Sequence, residues 1–312
     1  MLPAFLAMGL FATSSVAARQ SIHHLGSNNA SLVRILIATL ILGLYAHGWG
    51  AGFSGPALGW FLASGFIGFG ICDTAIFIAL PRLGAQLTSL MVQCLSVPIG
   101  LVTEWLWLGT RLSGIQLAAI TLILTGVAIA LNPTRRPQPS SPTPDTGTTP
   151  STPTPSHGPG AAALALGVLA AAGQAWGAVL SRHGTQLARA AGQPIDGLSI
   201  AYQRIWAGVL FIALWWLWQQ RIRRPDSTQP KPDWRAAWPW ILANALSGPS
   251  LGVACYQWAL SQRPTGIVMA ITALTPLAVI PLSWLLNRER PTTASVLGGF
   301  IGVAGVCWLA LS

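Results

Sequence analysis

Apolar runs of membrane-spanning length, separated by short polar breaks, organise the chain. A helix needs about 20 apolar residues to cross the hydrocarbon core of a bilayer. On that ruler spans fall at Leu2–Ala18, Ser31–His47, Leu58–Leu80, Gly84–Leu108 and Ser113–Leu131. A second set falls at Ala161–Ser181, Leu198–Trp218, Trp238–Leu260, Gly266–Leu286 and Thr293–Leu311. Two boundaries rest on short interruptions: Pro81-Arg82 between the third and fourth spans, and Gln262-Arg263-Pro264 between the eighth and ninth.

Two polar stretches divide these runs. Residues 132–160 are dense in Pro, Ser and Thr, a composition that cannot bury enough apolar surface to fold and reads as an extended linker. The stretch Gln219–Arg235 carries Arg221, Arg223, Arg224 and Lys231 between two groups of tryptophans, Trp215, Trp216 and Trp218 before it and Trp234, Trp238 and Trp240 after it. Aromatics bracketing a basic loop mark two helix ends at one membrane face. At the N-terminus, Leu2–Ala18 followed by Arg19 resembles a signal peptide with Ser15-Val16-Ala17 as its cleavage site. No basic residue precedes the run, however, and the segment has a counterpart later in the chain. A retained first span is therefore expected.

Composition narrows the class. Of 312 residues 52% are hydrophobic and 8% charged, against roughly 25% charged in soluble domains. That is too little charge to cover a water-facing surface. The 33 glycines and 15 tryptophans suit a polytopic helical membrane protein, where small residues let helices approach and Trp sits at interfaces. The net charge of +10 comes from short clusters between apolar runs, a pattern of topology signals and lipid-phosphate contact rather than of nucleic-acid binding. Cys72, Cys94, Cys255 and Cys307 all lie inside apolar runs without metal-ligand spacing, which argues against a disulfide framework or a zinc site.

The two sets of spans resemble each other. Ser31-Leu-Val-Arg34 opens the second span and Ala201-Tyr-Gln-Arg204 the seventh; Ala79-Leu80 closes the third and Ala259-Leu260 the eighth. Pro98 and Pro276 fall within the fourth and ninth spans. Arg111 and Arg290 follow those spans, and Ala7-Met-Gly9 through Arg19 echoes Ala165-Leu-Gly167 through Arg182. Landmarks repeated in one order mark a duplication. Five spans per copy is an odd number, so the second copy enters the membrane inverted. Inverted repeats are an architecture of secondary transporters, with the substrate site near the midplane between the halves. The expected fold is an all-α polytopic membrane protein of ten transmembrane helices in two inverted five-helix repeats. Residues 1–131 form the first repeat, 132–160 the linker and 161–312 the second repeat.

The stretch Leu286-Asn-Arg-Glu289-Arg290-Pro-Thr, followed by Gly298-Gly299 and Gly302-Val-Ala-Gly305-Val306, resembles the "G-E-R" turn and Gly-rich closing helix of the drug/metabolite transporter superfamily, specifically its ten-helix EamA-type branch. In the first half, Gly70-Ile-Cys-Asp73-Thr74, then Ala79-Leu80 and Gly84, is similar to a subgroup with a "G-x-x-D-T" third helix. The chain departs from the pattern at Leu108-Gly-Thr110-Arg111, where Thr110 replaces the turn glutamate. Opposite Asp73 the second half has Gly252 and Val253, so the acid stands in one half alone. The resemblance implies export of amino acids, drugs or small metabolites, in some members with use of the proton gradient.

Asp73 lies well inside the third span, where a charged group costs about 2.5–3.5 kcal/mol and so faces a cavity or a partner. It reads either as a proton-coupling acid or as a structural carboxyl paired with an Arg or bonded to Thr74. Glu104, about four residues from the end of the fourth span, is expected to snorkel to the interface or to Arg111. Arg34 and Arg204, at equivalent positions, read as holding an anionic group of the substrate or pairing with Asp73, or as anchors to lipid phosphate. Gln93, Gln174, Asn244 and Gln257 are amides within spans, with Trp176 and Tyr256 beside two of them. They read as a lining that recognises polar organic molecules, or as interhelical hydrogen bonds. Gln174 and Gln257 adjoin small residues that leave room. Pro98 and Pro276 read as matched hinges or fixed kinks, with Pro249 acting similarly early in the eighth span.

Enzymatic readings fare poorly. Gly52-Phe-Ser54-Gly55 resembles the nucleophile segment of intramembrane serine proteases, but Ser54 falls in a loop and none of the five histidines lies in a span core. No phosphate-binding glycine loop, paired carboxylates, metal cluster or cofactor fingerprint is present. The expectation is therefore a non-enzymatic secondary transporter without cofactor or metal, in the bacterial plasma (inner) membrane, acting on a small-molecule substrate within the lipid bilayer as a monomer or homodimer. A passive uniporter, or a scaffold binding a partner through Arg221–Arg235, are the alternatives. Of 17 basic residues, 12 fall on the side facing away from both termini. That places the termini outside by charge, whereas the family resemblance implies cytoplasmic termini; orientation stays open.

Overall fold

Helices account for every regular element in the computed structural model, which describes residues 1–130, 160–222, 232–287 and 293–311. The linker expected at 132–160, apart from Gly160, lies outside the described residues, as do 223–231 of the basic loop and 288–292 of the turn. The first half comprises α1 (Leu2–Leu25), α2 (Ser27–Gly48), α3 (Leu58–Gly65), a wide π turn (Phe66–Cys72), α4 (Asp73–Leu108) and α5 (Gly114–Ala130). The second comprises α6 (Ala161–Ala190), α7 (Gly197–Ile222), α8 (Trp234–Ala245), a π turn (Leu246–Ser250) and α9 (Leu251–Gln262), then α10 (Thr265–Thr272), α11 (Thr275–Asn287) and α12 (Thr293–Leu311). Among the described residues six helical stretches are long and apolar enough to cross a membrane. Shorter apolar stretches run over Gly114–Ile129, Thr265–Val279 and Val296–Leu309. The chain is an all-helical, integral membrane fold of two inverted repeats.

The π turns occupy matching positions. They start at Phe66 and Leu246, with the same offset that separates Ala79 from Ala259 (246 − 66 and 259 − 79). Their local causes differ. In the second, Pro249 lacks the N–H that an α-helical bond requires, so the ladder widens around it. In the first, Gly65, Gly68 and Gly70 weaken the α-helical preference.

Each π turn lies on the opening helix of the opposite half. Phe66–Cys72 packs on α6, and Leu246–Ser250 on α1. The contact is close because small residues face each other. A Cβ on Gly177 would come within 3.1 Å of the Gly68 Cα, and one on Gly248 would collide with the Ser14 hydroxyl. Ser14 also donates to Asn244 Oδ1 at 2.7 Å, tying α1 to α8. The equivalent helices α2 and α7 run against each other, and α5 pairs with α12. There a Cβ on Gly126 would be 2.5 Å from the Gly302 nitrogen, so the Gly-rich closing helix serves backbone-to-backbone packing. The largest buried apolar cluster links α1, α4, α5, α6 and α9–α12, joining the halves into one body.

Two expectations need correction. No break separates the third and fourth spans at Pro81-Arg82: the helix runs from Asp73 to Leu108. A proline need not end a membrane helix, because neighbouring elements can satisfy the freed backbone groups. Nor do Pro98 and Pro276 break the halves symmetrically. Pro98 sits within continuous α4, whereas Pro276 is the second residue of α11, just past a real interruption at Ala273-Leu274. The symmetric irregularity is the pair of π turns.

Candidate functional site

Asp73 is the first residue after the first π turn, and that turn sets its direction. Its carboxylate meets Arg34 of α2 at 3.7 Å, with the two side chains 24% and 20% exposed. Of the three readings for Arg34, the structure shows the geometry of the pairing with Asp73. A cation beside the carboxylate offsets much of the cost of placing either charge within the membrane.

Arg204, the counterpart of Arg34, stands in a different setting. It is 6% exposed, too deep for a lipid-phosphate anchor, and it does not pair with Asp73. Its guanidinium lies over the Phe69 ring at 5.6 Å, within electrostatic reach of Tyr256. Its Nε has no hydrogen-bond partner. Gly65 and Gly68 of the π-turn region make the space: a Cβ on Gly65 would overlap the Arg204 backbone, and one on Gly68 would be 3.1 Å from Nη2. Tyr256 rests on Phe11 of the opposite half, ring centroids 6.1 Å apart.

Glu104 departs from expectation. It is 2% exposed and reaches neither the interface nor Arg111; instead it forms an ion pair with Arg182 of α6 at 2.6 Å. The pair closes the break between α9 and α10. Pro264 interrupts the ladder, leaving carbonyls at the end of α9 and N–H groups at the start of α10 without helical partners. Arg182 Nη1 donates to the Leu260 carbonyl at 2.8 Å and to that of Arg263. Glu104 Oε2 accepts from the Thr265 N–H at 2.7 Å. The cation thus sits at a helix C-terminus and the anion at an N-terminus, the favourable sense for both dipoles.

Among the amides, Gln174 Nε2 donates to Gln93 Oε1 at 3.3 Å, linking α6 to α4 across the halves. Gln257 is fully buried; its Oε1 accepts from Ser181 at 2.5 Å, and its Nε2 has no partner. Trp176 faces outward and contributes nothing to this interior. Ser54 lies in the α2–α3 loop, its hydroxyl donating to the Ala51 carbonyl at 2.6 Å. Among the described residues no three His, Cys, Asp or Glu side chains gather as a metal site.

The interior therefore presents partly accessible charge and amide groups between two interlocked halves. The model of the EamA-like transporter family matches residues 1–132 and 161–311. The chain belongs to that family. As an EamA-type protein it is a membrane transporter of the drug/metabolite superfamily, a class whose members are generally not enzymes. Solved structures with a similar fold number 28 chains. One, titled "Crystal structure of protein", has a TM-score of 0.69 and 18% identity, over 99% of this chain and 96% of that one; at that identity the likeness is one of fold. No curated protein matches.

Sequence reasoning missed the Glu104–Arg182 pair. The signal available was scarcity: with seven acidic residues in the chain, a carboxylate within a span needs a cation, and Arg182 stands just past the expected end of the sixth. That span was drawn to Ser181, whereas α6 continues to Ala190. Phe69, as the aromatic floor under Arg204, was missed because it looked like one apolar residue among many.

Proposed function

We propose that this transporter exports small polar metabolites or amino acids across the bacterial inner membrane by alternating access, as a monomer or homodimer, with Asp73 as its proton-coupling acid. The observation that carries the reading is the Arg34–Asp73 pair, partly accessible inside the bundle at the exit of a π turn. A carboxylate held by a cation at 3.7 Å is loosely engaged, so a proton or a cargo group can compete for it. Placement at a π turn supports this, since such turns concentrate at functional positions. The interlocked repeats supply two equivalent sets of helices that exchange roles between inward and outward states.

The same pairing favours a second reading, in which Arg34 simply neutralises Asp73 and the protein is a uniporter. Flux of a labelled amino-acid and metabolite panel into proteoliposomes, with and without an imposed pH gradient, separates the two. Coupled export predicts gradient-driven flux in the wild type that Asp73→Asn abolishes while downhill exchange survives. Equal flux in both proteins, insensitive to the gradient, would establish the uniporter.

A further inference from the structure

We propose that Arg204 is the cargo's anion receptor and that the cargo carries a single carboxylate. The inference rests on the transporter reading and names the substrate class. Among the described residues there are four side-chain carboxylates, and each is engaged elsewhere. Asp73 meets Arg34, and Glu104 meets Arg182. Asp196 accepts from the Leu198 and Ser199 N–H groups at the start of α7, and Asp233 accepts from the Ala236 N–H at the start of α8. Arg204 is left with an aromatic face beneath it and no carboxylate partner among the described residues, and its buried Nε, like those of Arg34 and Arg182, has no hydrogen-bond partner.

A buried guanidinium without an anion is costly, because its desolvation is not repaid by a counter-charge. Stacking on the Phe69 ring offsets only part of this cost. A fold that keeps such a group and clears space for it with Gly65 and Gly68 has placed it for an incoming anion. The planar fork of an arginine matches a carboxylate in two parallel hydrogen bonds. A dianionic phosphate calls for more positive charge, but Arg34 and Arg182 are both already paired. Of the three arginines drawn into the bundle, Arg34, Arg182 and Arg204, one lacks a carboxylate among the described residues, which selects a monocarboxylate.

The test is equilibrium binding to purified protein in detergent, independent of transport. The probes are labelled neutral amino acids and simple monocarboxylic acids, each competed by its own carboxamide and by inorganic phosphate. The expected result is that at least one carboxylate binds, that its amide competes at least tenfold more weakly, and that phosphate does not compete. Arg204→Gln should lose the discrimination and Arg204→Lys should retain part of it. Thermal melting supplies a readout that a merely structural arginine would not give. Without ligand, Arg204→Gln melts no lower than wild type, and the bound carboxylate stabilises wild type alone. Amides competing as well as acids, discrimination surviving Arg204→Gln, or no carboxylate binding at all would each overturn the assignment. So would a ligand-free Arg204→Gln that melts well below wild type. Carboxylate binding without any flux in proteoliposomes would uphold the site and remove the transporter reading instead.

Discussion

The two halves of the molecule place an arginine at the same point of the same helix and use it differently. Arg34 is partly accessible and meets Asp73; Arg204 is buried and meets an aromatic ring. The divergence extends to the helices that follow. In the first half the third and fourth spans run on as one helix past the acid, whereas in the second the chain breaks at Arg263-Pro264, and the break is closed by Glu104 and Arg182. Duplication therefore conserved the backbone irregularity, a π turn against the opposite half's first helix, while the charges were redistributed. Among the described residues one half holds an internal ion pair, the other a buried cation without a carboxylate partner, and a second ion pair joins the halves. The difference teaches that the pseudo-symmetry fixes where charge can be placed, and the asymmetry decides which of those charges is available to a cargo.

The most damaging way to break this arrangement is to remove the charge that closes the second half. Glu104→Gln leaves Arg182 buried and uncompensated, and should cost about 3–5 kcal/mol, seen as a large drop in melting temperature in detergent. A loss below about 1 kcal/mol would show the pair to be as dispensable as a surface bridge. Next is the steric seam between the halves. Gly177→Leu drives a side chain into Gly68 and should cost about 1–3 kcal/mol through overpacking; a variant melting like wild type would mean that the seam is loose. Asp73→Asn should be milder for stability, about 1 kcal/mol or less for a partly exposed pair, yet decisive for gradient-driven flux. That split between stability and transport is what distinguishes the first-half pair from the second. The smallest effect belongs to Gln174→Leu, which removes one interhelical hydrogen bond worth about 0.6 kcal/mol; denaturant melts should barely resolve it.

Much of the fold was legible because membranes simplify the reading. Span length, the repeated landmarks and the inverted order follow from a bilayer of fixed thickness and from backbone groups that must bond internally. Thus Ala79-Leu80 and Ala259-Leu260 already set the register that the π turns obey. Boundaries that depend on proline were less secure, because the same residue is absorbed at Pro81 and Pro98, widens the helix at Pro249, and ends one at Pro264. Which outcome occurs depends on whether neighbours satisfy the freed groups, and at Pro264 the neighbours that do so are 78 to 161 positions away in sequence.

What the sequence determined by itself is therefore the class: an all-helical membrane protein made of two related halves, with a handful of charges too costly to be idle. Only the tertiary structure decided how those charges are allotted. Asp73 could have paired with either arginine, and Glu104 with Arg111. The choice fell to Arg34 and Arg182 because Coulomb energy between charges depends on separation in space and on local dielectric, and neither quantity is written along the chain.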